Sequence, residues 1–254
     1  MKRVASPLVV TRPAPDHQRL MGKLRELGVP AIHSPAFEIE AAPESELSKR
    51  MDEIGVCALA IVTSPVAARL VARRAKGRGI LHVPCIAPGQ GTSSILEEAG
   101  LCCSYPHRGG TSEHILDMPD LADINGKRVA IVGAPGGRGL LANELARRGG
   151  RIETVHIYCR KAVPPRRSLI DALRLGHDPV VLISSLQAFG MISGSLPEDV
   201  TQAWLEGRFI VSSGRLEESC RKAGVSRIHR AAGAADDQML CAAEKAGWMH
   251  RPHF

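Results

Sequence analysis

Six short stretches carry hydroxyl, glycine and arginine residues in a form able to grip an anion: Thr11-Arg12-Pro13, Thr63-Ser64-Pro65, Thr92-Ser93-Ser94, Pro135-Gly136-Gly137-Arg138, Ser184-Ser185 and Ser212-Ser213-Gly214-Arg215. Each precedes an amphipathic stretch, so a helix starting there presents its first amide groups unpaired. Taken singly, each reads as an ordinary helix cap, because Ser and Thr are favoured N-cap residues. As a set they point to a carboxylate-binding cleft, since helix N-termini suit carboxylates as well as phosphates.

The stretch "RVAIVGAPGGRGLLANELARRGG", Arg128 to Gly150, has the order strand, glycine-rich turn, helix that nucleotide sites use. A Walker loop ends in Gly-Lys-Ser/Thr, whereas Gly137 here is followed by Arg138 and Gly139. A dinucleotide fingerprint requires glycines where Gly133, Pro135 and Arg138 stand, and no acidic residue follows a second strand at ribose distance. An anion other than a nucleotide is therefore the expectation. Arg138 faces either that anion or a neighbouring helix.

Other catalytic signatures are missing from the sequence. There is no Gly-x-Ser-x-Gly elbow, no His-Glu-x-x-His and no histidine pair at helical ligand spacing, so no metal site is expected. His250 and His253 lie in the tail "WMHRPHF" and read as a frayed terminus. Asp236 and Asp237, before an apolar run, are either a helix start or a carboxylate pair touching substrate. An enzyme with this equipment works by positioning, not by a nucleophile or a metal.

The elements that must hold these turns recur as one unit: a short apolar run, a small polar turn, then an amphipathic helix ending near Gly. In "PLVVTRPAPDHQRLMGKLRELG", Leu8 to Val10 form the strand, Leu20, Leu24 and Leu27 recur at helical spacing, and Gly28 closes the helix. Five further copies begin at "ALAIVTSP", "PCIAPGQGTSS", the glycine-turn stretch, "PVVLISS" and "RFIVSSG". Strands alternating with helices imply α/β architecture with parallel sheets flanked by helices. Two extended stretches, "IHSPAFEIEA" and "IETVHIYCRKAVPP", break the rhythm and read as linkers. If they pair as a short ladder, residues 38–154 form an inserted domain and residues 1–35 with 157–254 form a discontinuous one.

The 254 residues, 44% hydrophobic and 23% charged, suit soluble domains with real cores, and no apolar run approaches the roughly 20 residues of a membrane span. No signal-peptide hydrophobic region opens the chain, so a cytoplasmic location and no membrane partner are expected. Seven cysteines form no Cys-x-x-Cys pair and argue against a disulfide framework or zinc site. The net charge of +7 favours an acidic partner. With 3% aromatic residues the chain lacks the stacking platforms of single-strand binders, so no nucleic acid is expected and a small polyanion fits better.

At this point the sequence resembles the uroporphyrinogen-III synthase family. The resemblance runs from about Leu8 to Ala243 and is carried by "VVTRP", "IVTSP", "GTSSILEEAG", "GKRVAIVGAPGGRGLLANELARRGG" with "VHIYCR" after it, and "IVSSGRLEESCRKAG" followed by "AADDQML". The chain departs from the usual pattern at Gly133-Ala134, Gly139 and Pro88. The resemblance implies two α/β domains joined by a two-stranded β linker and a cofactor-free lyase of tetrapyrrole biosynthesis; a monomer is expected. Its substrate would be hydroxymethylbilane, a linear tetrapyrrole with eight carboxylates. By match to the family pattern, Tyr158 assists departure of the substrate hydroxyl, or else fills the hinge. Thr92 and the turn Ser212 to Arg215 match carboxylate-binding positions at the cleft rim. The competing class is a non-catalytic polyanion-binding or sensor protein of the same fold.

Overall fold

In a computed structural model of the chain, the structure describes residues 6–78, 82–107, 109–136 and 139–248. Its strands, in chain order, are Leu8–Val10 (β1), Ala31–His33 (β2), Phe37–Ala41 (β3), Leu59–Val62 (β4), Cys85–Ile86 (β5), Cys103–Ser104 (β6), Arg128–Gly133 (β7), Arg151–His156 (β8), Tyr158–Ala162 (β9), Val180–Ile183 (β10), Arg208–Val211 (β11) and Arg227–Arg230 (β12). They form a five-stranded parallel sheet in the order β12-β11-β10-β1-β2, a second in the order β6-β5-β4-β7-β8, and a two-stranded sheet of β3 with β9. This is the α/β fold with parallel sheets and a β linker that the sequence implies. By contacts the chain divides into two compact units, Glu40–Arg160 and the flanking residues up to Ile39 and from Lys161 on.

The flanking unit explains why its strands are continuous apolar runs. Side chains alternate between faces along a strand. On one face Val9, Val181, Ile183, Phe209 and Val211 pack with Leu169, Leu173, Phe189, Ile192, Val200 and Trp204 from the helices Arg167–Arg174, Leu186–Ser195 and Glu198–Leu205. On the other, Leu8, Val10, Val180, Leu182 and Ile210 pack with Leu20 and Leu24 of helix Gln18–Glu26 and Met239, Leu240 and Ala243 of helix Asp236–Lys245. Both faces are covered, as a parallel sheet requires. Phe209 anchors the first layer, edge-on to Trp204 at 5.0 Å and to Phe189 at 5.9 Å between ring centres. Gly28 follows helix Gln18–Glu26 at φ 64°, the left-handed conformation that lets the chain turn directly into β2.

In the unit Glu40–Arg160, Leu59, Ile61 and Val129 pack with Leu141 and Leu145 of helix Leu140–Arg147 and with Ile115, Leu121 and Ile124. Two expectations need correction. The extended stretches are not linkers throughout: each is split, with β2 and β8 joining the two main sheets and only β3 and β9 pairing as the linker ladder. Ser34-Pro35 breaks the first stretch, and the single residue Ile157 separates the strands of the second. Thr92 and Ser93 do not lie in a turn. Pro88 and Gly89 make the turn, so helix Gln90–Glu97 starts early enough to bury both hydroxyl residues in its first turn.

Candidate functional site

The site is built from the carboxyl ends of the parallel strands, where ligands of open α/β sheets sit. In the unit Glu40–Arg160 the adjacent strands β5, β4, β7 and β8 end side by side and lead to Pro88, Thr63, Gly133 and His156 at or just past their carboxyl ends. The Thr63 hydroxyl donates to the Val132 carbonyl at 3.0 Å. Its Oγ1 lies only 2.3 Å from where a Cβ on residue 133 would stand, so Gly133 is required for this close approach. Ser64 Oγ accepts the Ala67 amide at 3.1 Å at the start of helix Pro65–Arg78, and stands 3.0 Å from the Tyr158 hydroxyl.

Tyr158 opens β9 with its ring buried. The Arg160 guanidinium lies 5.7 Å from the ring centre and donates to the phenolic oxygen at 3.4 Å. Two hydroxyls sharing one hydrogen bond use one proton between them, so the Ser64 and Tyr158 pair keeps a second O–H proton for another acceptor. Such a pair can donate a proton, with Tyr158 on β9 and Ser64 at the start of helix Pro65–Arg78.

Beside it lies a cavity of about 400 Å³, lined by Thr63, Gly133, Gly136, His156 and Arg160 among others. Gly136 is exposed and takes φ 88°. Gly137 and Arg138 lie outside the described residues, as do His250 and His253. Thr92 and Ser93 are buried, and the Ser93 hydroxyl donates to Glu97 at 2.6 Å instead of facing an open turn.

In the other unit, β11, β10 and β1 are neighbours and bring Ser212, Ser184 and Thr11 to one sheet end. The Thr11 hydroxyl donates to the Leu182 carbonyl at 2.8 Å, and that of Ser212 to the Ser184 carbonyl at 3.4 Å. Ser185 and Ser213 are N-caps, accepting the Ala188 amide at 3.2 Å and the Leu216 amide at 3.3 Å. Arg215 is exposed in the first turn of helix Gly214–Lys222. Arg12 is committed elsewhere: its guanidinium bonds the Asp236 carboxylate and the Ala234 carbonyl. Asp236 and Asp237 start a helix and are ion-paired, Asp236 with Arg12 and Arg19 and Asp237 with Lys23. The bond from Lys23 holds the Asp237 carboxyl below the usual carboxylate range.

Next to this turn the imidazoles of His17 and His33 stack 3.7 Å apart at an interplanar angle of 2°. His33 Nε2 lies 2.8 Å from the Arg12 carbonyl, which only an N–H can satisfy, so Nε2 carries a proton. Burial lowers the His33 pKa most, the bond to the Arg12 carbonyl opposes this, and the neighbouring His17 and Arg166 lower it further.

Two of the buried thiols are unsuited to nucleophilic chemistry. Burial pushes Cys85 up to about 12 and Cys220 up to about 11, so both stay neutral. Among the described residues no group of three or more His, Cys, Asp and Glu is placed to hold a metal ion, and no helix is long and apolar enough to cross a membrane. The arrangement offers hydroxyls, amides and cations: it can bind anions and donate a proton. His156 and Arg160 escaped the sequence reading. Their signal was the alternation Thr154, His156, Tyr158, Arg160, and the register that gives it meaning is long-range.

Comparisons with known proteins point one way. The family model described as uroporphyrinogen-III synthase HemD matches residues 18–241. The chain is 29% identical over 243 residues to the uroporphyrinogen-III synthase of Escherichia coli, covering 92% of this chain and 98% of that one. A solved mutant uroporphyrinogen III synthase of Thermus thermophilus aligns with TM-score 0.63 at 20% identity, covering 95% and 98% of the two chains. The solved uroporphyrinogen-III synthetase of Helicobacter pylori gives TM-score 0.63 at 13% identity, covering 95% and 99%.

Proposed function

This chain belongs to the uroporphyrinogen-III synthase family, and on that premise we propose that it is a hydro-lyase closing hydroxymethylbilane into uroporphyrinogen III. The carrying observation is the Tyr158 hydroxyl, buried yet hydrogen-bonded to Ser64 at 3.0 Å on the carboxyl side of a parallel sheet. In this reading the phenol protonates, or hydrogen-bonds to, the departing hydroxyl of the linear substrate. The C–O bond breaks with its electron pair leaving on water, and the pyrrole nitrogen stabilises the cation that remains. The far ring then attacks that cation through its already substituted carbon to give a spiro intermediate. The bond from that carbon to its original bridging methylene breaks, the methylene cation so formed rejoins the ring at its unsubstituted carbon, and loss of the proton there leaves a closed macrocycle with the last ring inverted.

The linear tetrapyrrole also closes spontaneously without inversion. The protein's task is thus to hold one folded conformer and favour its transition state. Eight carboxylates need many donors; we assign them to the turns and helix starts around Ser64, Gly136, Ser184, Ser185, Ser213 and Arg215, while Thr11, Thr63 and Ser212, whose hydroxyls bond backbone carbonyls, shape the strand ends beside them. We further propose that residues 38–154 and the flanking segments 1–35 and 157–254 act as two domains, and that the protein works as a cytoplasmic monomer. Incubation with hydroxymethylbilane followed by isomer analysis of the oxidised products tests the activity. The III isomer is expected; uroporphyrin I alone overturns the reading.

A further inference from the structure

We propose that the cavity in the unit Glu40–Arg160 is a subsite for a single acid-bearing pyrrole ring, in which Arg160 and His156 take a side-chain carboxylate. This rests on the function proposed above and specifies where one ring is held.

The floor of the cavity follows from strand register. β8 pairs in parallel with β7 so that Thr154 stands beside Ile131 and His156 beside Gly133, and all four residues line the cavity. Residues two apart share a face, which places Thr154 and His156 on it together. Across β4, the Thr63 hydroxyl fits against Gly133, where any side chain would collide with it, so the pocket keeps its depth at that point. Gly110 does the same at the rim: a Cβ there would stand 2.7 Å from the Pro88 carbonyl.

Chemistry then selects the occupant. Pro88, Ile115, Ile131 and Leu140 give the cavity apolar lining, and the cationic Arg160 and the imidazole of His156 line it too, with no acidic side chain among the described lining residues. Apolar lining together with a guanidinium suits a flat ring that carries an acid on a short chain. A volume of about 400 Å³ is near the small end of ligand sites, which run from about 300 to 1,000 Å³, and has room for one substituted ring but not for four. Arg160 also lies against Tyr158, 5.7 Å from its ring centre. A carboxylate held by Arg160 therefore lies near the phenol, and Arg160 is a positioning residue for the reaction as well as a binding one.

Binding of uroporphyrinogen III, generated and titrated without oxygen, tests the subsite by calorimetry. Arg160→Gln and His156→Gln should each weaken it about tenfold, the scale of a lost charge-assisted hydrogen bond, and raise KM for hydroxymethylbilane with a smaller effect on kcat. Arg160→Lys should fall between, because it keeps the charge but loses the planar fork. Ala142→Leu, which adds bulk to another lining position and leaves Arg160 and His156 in place, should weaken binding as well. Unchanged affinity in Arg160→Gln, His156→Gln and Ala142→Leu, with melting temperatures like the parent, overturns the subsite. The two proposals fail separately: a parent that yields only the I isomer while these variants still lose affinity removes the activity and keeps the subsite. A parent that yields the III isomer while the variants bind normally does the reverse.

Discussion

The phenolic oxygen of Tyr158 lies 3.0 Å from Ser64 Oγ, and Ser64 Oγ in turn accepts the Ala67 amide at 3.1 Å. One hydroxyl thereby caps a helix and fixes a buried phenol, so the helix terminus sets the position of the proposed proton donor.

Replacing Tyr158 by Phe removes the donor and keeps the ring. The leaving hydroxyl is already activated by the pyrrole nitrogen, so the loss should sit at the low end of general-acid effects, about 10²-fold in kcat. Inversion depends on the shape of the bound chain, held by many amides, and the product should remain mainly the III isomer. Steady-state assay with isomer analysis checks both parts. Undiminished kcat rejects a catalytic hydroxyl, and a switch to the I isomer shows that Tyr158 controls geometry instead.

Ser64→Ala should cost about 1 kcal/mol of stability through the lost cap, and should lower kcat less than Tyr158→Phe does, because the phenol survives but loses its anchor. Urea denaturation and kinetics on the same preparation separate the two effects. Equal kcat in Ser64→Ala and the parent would mean that the phenol needs no anchoring from this hydroxyl.

Much of this architecture is legible in the sequence, for a physical reason. A strand buried on both faces must be apolar at every position, so Leu8–Val10, Leu59–Val62, Val180–Ile183 and Phe209–Val211 announce themselves. Edge strands carry no such signal: "RIHR" of β12 has only Ile228 packed against the core. Nor does the sequence reveal that "IHSPAFEIEA" serves two different sheets, since pairing partners lie far away in the chain. The site follows the same rule. The hydroxyl turns are local and readable, whereas Arg12 looks available until Asp236, 224 residues later, claims its guanidinium. His156 gains its meaning from its register with Gly133, which no local pattern contains.

That claim on Arg12 predicts an asymmetry. The Asp236 carboxylate is nearly buried and takes both Arg12 and Arg19, whose side chains are 20% and 79% exposed. Removing the shared partner in Asp236→Ala leaves the Arg12 cation half-buried and should cost about 3 kcal/mol. Arg19→Ala breaks a largely solvated pair and should cost under about 1 kcal/mol. Chemical denaturation of the two variants measures the difference, and similar losses would refute it.

A ligand that binds only the folded protein stabilises it, by about 2.7 kcal/mol at a hundredfold excess over Kd. Uroporphyrinogen III should therefore raise the melting temperature, and added salt should reduce the rise because carboxylate contacts are screened. An unmoved melting temperature at saturating ligand counts against the proposed site.

The stacked pair of His17 and His33 predicts how stability responds to acid. Burial lowers the His33 pKa below its ordinary value of 6.5, so as pH falls the unfolded chain takes up its proton before the folded one does. The sign follows directly: with more protons bound in the unfolded state, stability drops as pH decreases through and below about 6.5. Charging His33 would also place a cation 3.7 Å from the His17 ring and near Arg166. His33→Gln keeps a donor for the Arg12 carbonyl but cannot charge, and it should flatten this part of the profile while leaving other acid-labile groups in place. Urea midpoints of parent and variant between pH 5 and 8 provide the comparison. Parallel curves over that range would show that His33 does not carry the acid sensitivity.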